Sequence, residues 1–253
     1  MHVTIQSFDR SENVSSMHES LYPLKPIWYV PESQVDDYEN EGATVYPVKD
    51  RPFPMKPHQL NAALDHGFNR GEMVVCMDDD FKVCKNRDNE VVPLAHFIDD
   101  LVGLVEKSRF FLGGTTNSSN VLWISGKVRE HGNIPGIITV HKPNKLRYDP
   151  NLKLLEDLDM VIQHHIEHGG LIRSERFAAQ WTMLDAKKKT HTQKGGYGLS
   201  RLKNHTLTLK QMQEKYNNPF IQFPLDSAPG ENVHGQIQWT KFVRAENTLD
   251  AFF

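Results

Sequence analysis

The run Met73-Val74-Val75-Cys76-Met77 is apolar at every position and passes without a spacer into Asp78-Asp79-Asp80. Side chains alternate across a strand, so a strand apolar at every position must be covered on both faces. That is the state of a central strand in a parallel sheet sandwiched by helices. The flanking sequence agrees. Residues 2–8 (HVTIQSF), 27–30 (IWYV) and 43–48 (ATVYPV) read as further strands. From Pro57 a helical pattern places Leu60, Leu64 and Phe68 four apart and stops at Gly71. Residues 92–107 form an amphipathic helix whose stripe is Leu94, Phe97, Ile98, Leu101, Leu104 and Val105. This alternation predicts an α/β fold with a mixed, mostly parallel, Rossmann-like sheet flanked by helices, with ligands bound beyond the carboxyl ends of the strands.

The second half is less regular. Residues 110–114 and 120–125 (NVLWIS) read as strands on either side of a Gly/Thr/Asn/Ser loop. A helix runs from about 154 to 168 and ends at Gly169-Gly170. Residues 171–173 and 180–184 read as short strands, residues 207–216 as a helix, and the remainder as an extended tail. No repeat or linker interrupts the pattern, so residues 1–245 are expected to form one domain, with 246–253 as a tail.

Composition narrows the classes. The chain has 253 residues, 38% of them hydrophobic and 24% charged, with a mean hydropathy of −0.54. No apolar run reaches the roughly 18–20 residues of a spanning helix, so an integral membrane protein is excluded and no membrane partner is expected. The strand pattern begins at residue 2 and leaves no room for a signal peptide. Two cysteines, Cys76 and Cys84, make no disulfide framework, and a cytoplasmic location is expected. Net charge is −3, yet residues 186–210 hold Lys187, Lys188, Lys189, Lys194, Arg201, Lys203 and Lys210 against no Asp or Glu. Such a segment is either anion-seeking or a solvated loop.

The three adjacent aspartates repel one another unless a cation or hydrogen-bond donors compensate. Asp78 and Asp80 point to one side, and two hard oxygen donors suit Mg2+ or Mn2+, with water and phosphate completing the shell. An acidic turn is the alternative, weakened by the buried strand that carries the cluster to the ligand-binding edge. Glu156 and Asp157 stand at a helix start, where the dipole favours ionised carboxylates. His164, His165 and His168 suggest zinc, but no Glu or Cys follows at a matching spacing, and a structural role is the simpler reading.

IQSFDR, IWYV, PHQLNAALDHGF and VVCMDDDF, in this order, resemble the nucleotide-sugar half of a GT-A glycosyltransferase, and the likeness extends over about residues 2–205. The resemblance implies a nucleotide-sugar half over 1–110 and an acceptor half over 111–245. It implies a strand-end DxD motif that holds Mn2+ or Mg2+ against the diphosphate of a nucleotide sugar, most simply a UDP-sugar. Asp80 would then be the principal metal ligand, with Asp78 on the metal or ribose and Asp79 beside the donor. Ser7, Phe8 and Asp9 would meet the nucleobase and ribose, and Gln59 and Asn61 would border the nucleotide. Glu156 and Asp157 match the ED motif beside the acceptor, Asp157 being the base if the anomeric carbon inverts. Residues 190–198 look like a basic closing loop: Lys194, Gly195, Gly196 and Arg201 for phosphate, His191 as a third metal ligand. The QxxRW motif of processive synthases is missing, which argues against a polymerising enzyme.

Within that fold, DDDF, LLEDLDMVIQHHIEHGG and the later KGG resemble the TET/JBP-associated, phage-type glycosyltransferases, which modify hydroxymethylated pyrimidines in DNA. The implied acceptor is 5-hydroxymethylcytosine or -uracil in double-stranded DNA, and the implied setting is a viral protein in host cytoplasm. The ending ENTLDAFF resembles peptides that dock on replication sliding clamps, with Leu249, Phe252 and Phe253 as anchors. Folding back on the domain would equally cover those side chains. Alternatives are a protein, lipid or glycan acceptor on the same fold, an inactive binding scaffold, and a nucleotidylyltransferase, which lacks its Gly-rich Arg-Lys loop here.

Overall fold

The structure, a computed structural model, describes residues 1–51, 54–116, 120–181, 200–218, 221–222, 236–237 and 239. The elements follow in chain order as β1 (His2–Gln6), α1 (Val14–Leu21), β2 (Ile27–Pro31), α2 (Val35–Asn40), β3 (Thr44–Val48) and α3 (Lys56–Phe68). Then come β4 (Val74–Asp78), β5 (Phe81–Lys85), β6 (Val91–Val92), α4 (Leu94–Lys107), β7 (Leu112–Thr115), β8 (Val128–Arg129) and β9 (Ile138–His141). The last described elements are α5 (Glu156–His168), β10 (Ile172–Ser174), β11 (Ala178–Trp181), α6 (Ser200–Lys215), β12 (Ile221–Gln222) and β13 (Gln236–Ile237).

The main sheet has the order β3-β2-β1-β4-β9-β7-β10-β8. β1 pairs in parallel with β2 and β4, β2 with β3, and β7 with β10, whereas β9 runs antiparallel between β4 and β7 and β8 antiparallel at the edge. The sheet is therefore mixed and mostly parallel. Period two divides its core cleanly. Val3, Ile5, Trp28, Val30, Val75 and Met77 pack on one face with Val14 and Met17 of α1 and Phe97, Ile98 and Leu101 of α4. Tyr29, Val74 and Cys76 pack on the other with Leu60, Ala63 and Leu64 of α3 and Met160 and Val161 of α5. Both faces of β4 are thus covered, as its uninterrupted apolar run requires.

Glycine closes two approaches. A Cβ at Gly67 would stand 2.3 Å from Val74 of β4, so α3 reaches the sheet only because residue 67 has none. Gly113 on β7 makes the same allowance for Val105 of α4, at 2.2 Å.

Some sequence expectations need correction. Residues 120–125 do not form a strand. Asn120 caps a 3-10 turn at Val121–Trp123, its side-chain oxygen accepting from the Leu122 N–H at 3.0 Å, and that cap outweighs the β-branched composition. β9, the antiparallel strand beside β4, has no counterpart in the sequence reading, and neither do α1 and α2. α6 begins at Ser200 rather than 207, so the helix takes in the C-terminal part of the basic segment. Residues 182–199 and 240–253 lie outside the described residues. No helix among those described is long and apolar enough to cross a membrane.

Candidate functional site

β4 ends at Asp78, Asp79 and Asp80 form the turn that follows, and β5 leaves for a small antiparallel sheet of order β11-β5-β6. The acidic run therefore sits at the junction of two sheets, at the C-terminal end of a central parallel strand. β1 ends in register beside it, with Gln6 opposite Asp78. Two helices begin at the same place: Lys56 opens α3 and Glu156 opens α5. Neither has a side-chain hydrogen bond at its N-cap residue, and each 13-residue helix directs its positive dipole end there.

The three aspartates have different surroundings. Asp79 is the buried one, 4% exposed. It accepts from Arg10 at 2.8 Å and from the Ser7 hydroxyl, which in turn takes a hydrogen bond from Tyr38. Burial pushes its carboxyl up to about 7, against the pull of Arg10. Asp78 and Asp80 are each about a quarter exposed at the side chain. Asp80 lies 3.4 Å from the same Arg10 nitrogen. Asp78 lies 2.8 Å from the Lys56 ammonium, which is also 3.5 Å from Glu156. Burial raises both Asp78 and Glu156 above the usual carboxylate range, and Lys56 is the chief influence holding them down. Those two carboxylates hold the Lys56 ammonium well above its ordinary value in spite of burial.

The flanking backbone is strained on both sides. Asp9, just after β1, has φ 55°, and Leu155, the N-cap of α5, has φ 59°. Neither is glycine, and left-handed backbone at such residues costs on the order of 1–3 kcal/mol. The surroundings fix both turns: the Asp9 N–H donates to Gln34 at 2.8 Å, and the Asp157 carboxylate accepts from the backbone of Gly136 at 3.1 Å.

Several expected donor contacts are engaged in holding the fold. The Gln59 amide donates to the carbonyls of Ser7 (2.6 Å) and Tyr29 (2.8 Å), tying together the ends of β1 and β2. Asn61 exchanges two hydrogen bonds, each 2.8 Å, with the Tyr148 backbone. Asp79 is closed in with Arg10, and Ser7 is 3% exposed. Ser7, Asp79, Gln59 and Asn61 thus fix where β1, β4 and α3 end. Phe8 and Asp9 are exposed at the rim. The dipole argument for Glu156 also needs correcting, because burial outweighs the helix terminus and raises the carboxyl. Arg201 lies in the first turn of α6. His191, Lys194, Gly195 and Gly196, and the tail residues Leu249, Phe252 and Phe253, lie outside the described residues.

Sequence reasoning missed Arg10 and Lys56, the two cations of the site. A signal for each was available: three adjacent carboxylates require positive charge nearby, and a lysine at the first position of a helix opposes the dipole unless acids meet it. For a divalent ion, the donors present are the outward carboxylates of Asp78 and Asp80, hard oxygens of the kind Mg2+ and Mn2+ take. Among the described residues no three His, Cys, Asp or Glu side chains are placed to hold a metal together, so water and phosphate oxygens would fill the rest of a shell there.

The histidines of α5 belong elsewhere. His164 and His165 are fully buried. His165 donates to the Val161 carbonyl at 2.8 Å, while neither ring nitrogen of His164 has a hydrogen-bond partner among the described residues. His141 of β9, held by Thr139 and Tyr148, lies 6.2 Å from His164 between ring centroids. Burial lowers His141 to about 3 and His165 to about 4, and His164 falls well below its ordinary value. These rings are neutral packing elements.

No protein-family model matches the chain, and no curated protein matches its sequence. Solved structures do match. One is described as mannose-1-phosphate geranyltransferase from Thermus thermophilus, at 9% identity and a TM-score of 0.35. The match covers 70% of this chain and 56% of that one, so the chain spans little more than half of that protein. A likeness of that size carries no argument about activity. The α/β assignment stands on the strand order itself.

Proposed function

We propose that the chain is a metal-dependent glycosyltransferase that moves a sugar from a nucleotide sugar to the hydroxymethyl group of a modified pyrimidine in DNA. The observation that carries the reading is the meeting of Asp78, Asp80 and Glu156 with Lys56, Arg10 and the starts of α3 and α5, at the carboxyl edge of β1 and β4. A diphosphate is an anion that helix N-termini, a lysine and an arginine recognise together. Open α/β sheets bind their ligands at this edge.

In the proposed reaction the hydroxymethyl oxygen attacks the anomeric carbon of the donor. The bond from that carbon to the diphosphate oxygen breaks, and a nucleoside diphosphate leaves with the bonding pair. The hydroxyl proton passes to a carboxylate at the start of α5, Asp157 in the simplest arrangement, within reach of an acceptor beside Glu156. Asp78 and Asp80 would hold a Mn2+ or Mg2+ ion, which would supply charge stabilisation for the leaving diphosphate. Lys56 and Arg10 pair with the aspartates and add positive charge on the same side.

The DNA acceptor is the finer part of the proposal. It is supported by the resemblance of the acidic strand end and the α5 sequence, and by seven basic residues over 186–210. Incubation with Mn2+, a panel of nucleotide sugars and DNA containing hydroxymethylcytosine or hydroxymethyluracil tests it by mass spectrometry. The proposal expects one sugar mass added to modified DNA and none to unmodified DNA. Release of nucleoside diphosphate without DNA modification would keep the transferase and move the acceptor to a protein, lipid or glycan. No turnover of any donor would leave a binding scaffold.

A further inference from the structure

We infer that Lys56 is a resident cation that a divalent metal must displace from Asp78, so that lysine and metal take the strand-end carboxylate in alternation. The inference rests on the reading above that the metal binds at Asp78 and Asp80. It names a residue that controls when the metal can enter.

The position of Lys56 is unfavourable on local grounds. It is the first residue of α3, where the positive end of the dipole repels a cation, and only 26% of its side chain is exposed. The two carboxylates that offset this come from separate elements, Asp78 at the end of β4 and Glu156 at the start of α5, at 2.8 and 3.5 Å. The ammonium thus lies closest to one of the two oxygen donors a metal would use. A doubly charged ion on Asp78 would share that carboxylate with the ammonium, and like charges in a partly buried site repel. Lys56 has a second acid to move to, because Glu156 already shares it.

Arg10 is placed differently. Its 2.8 Å contact is with Asp79, which is buried and also accepts from Ser7, while its distance to Asp80 is the longer 3.4 Å. A metal on Asp80 leaves the Arg10 contact with Asp79 in place, whereas a metal on Asp78 would compete with Lys56 for that carboxylate. A diphosphate entering with the metal gives Lys56 a further anion, so metal and diphosphate should each tighten the other's binding.

The test is Mn2+ binding to the full chain at pH 8 without nucleotide, followed by electron paramagnetic resonance, in the wild type and in Lys56→Gln, Lys56→Arg and Asp78→Asn. Lys56→Gln should bind Mn2+ at least about tenfold more tightly than wild type, and Lys56→Arg within roughly threefold of it. Asp78→Asn should bind more weakly than wild type. Equal or weaker binding by a folded Lys56→Gln protein would overturn the inference and leave the metal reading intact. Failure of wild type and Lys56→Gln alike to bind Mn2+, even with inorganic pyrophosphate present, would overturn the metal reading itself.

A second measurement covers the case in which Lys56→Gln does not fold. Acetylation of wild-type lysines with acetic anhydride, read by mass spectrometry, should show Lys56 labelled at least about threefold faster on adding Mg2+ alone. The exposed Lys145 serves as the internal reference. Unchanged Lys56 labelling would overturn the inference.

Discussion

Two polar regions cross the core of this molecule, and they solve the burial of ionisable groups in opposite ways. At the carboxyl edge of β1 and β4, Asp78, Asp79, Asp80 and Glu156 remain beside Arg10 and Lys56, each acid within 3.5 Å of a basic nitrogen. Between β9 and α5, burial drives His141, His164 and His165 neutral. A group kept charged must be given partners, and partners with polar ends can be redirected to a ligand. A group kept neutral gives packing and no reactivity. The comparison assigns the histidine layer to structure and leaves the sheet edge as the place to test for the proposed chemistry.

The sharpest way to break that assignment is Asp80→Ala. Transfer should fall by at least about a hundredfold, as for loss of a principal electrostatic group, while the melting temperature stays near wild type because Asp80 is partly exposed. Asp79→Ala should do the reverse on stability. Removing the buried acid leaves Arg10 without its 2.8 Å partner, at a cost of about 3 kcal/mol in chemical denaturation. An Asp79→Ala protein as stable as wild type would contradict the division between an inner, positioning aspartate and two outer ones.

The histidine layer makes the next prediction, in acid. Among the described residues, the titratable groups around His164 are His141, His165 and His168, all lowered by burial, so nothing stabilises a proton there. Its folded pKa lies below the unfolded value near 6.5, so the unfolded chain takes up a proton that the folded chain refuses. The stability it permits is present above pH 6.5 and is lost as pH falls. Asp79, raised to about 7, carries the opposite sign: its contribution is present at low pH and lost as pH rises through 7. His164→Leu should therefore flatten the loss of unfolding free energy between pH 6.5 and 5, by up to about 1.4 kcal/mol per pH unit. An unchanged acid limb would mean the ring is not the proton acceptor.

The smallest expected effect is that of Asn61→Ala. Losing the ties to Tyr148 should cost about 1 kcal/mol of stability and leave the KM for the nucleotide sugar unchanged. A raised KM would return Asn61 to the donor site.

What could be read from the sequence follows the same division. α3 and α4 are legible because their apolar residues recur with helical period, β1, β2 and β4 because short apolar runs end at Asp9, Pro31 and Asp78, and Asp78–Asp80 stands out because an apolar run ends on it. β9 is not legible: ITVH is four residues, and its place beside β4 comes from long-range pairing with residues 74–77. The acids of the site were visible as clusters. Their cations were not, since Arg10 and Lys56 are single residues about 70 and 20 positions from the aspartates, joined to them only by the sheet. Gln59 and Asn61 look like ligand groups in sequence, and only the fold reveals that backbone carbonyls and amides already hold them.

The most direct test of the central claim is donor turnover by wild type and Asp78→Asn, side by side with Mn2+, a nucleotide sugar and hydroxymethylated DNA. The account predicts glycosylated DNA and free nucleoside diphosphate from the wild type. From a folded Asp78→Asn protein it predicts at least about a hundredfold less of both. Equal turnover by the two proteins would show that the charged edge of β1 and β4 is not where the reaction occurs.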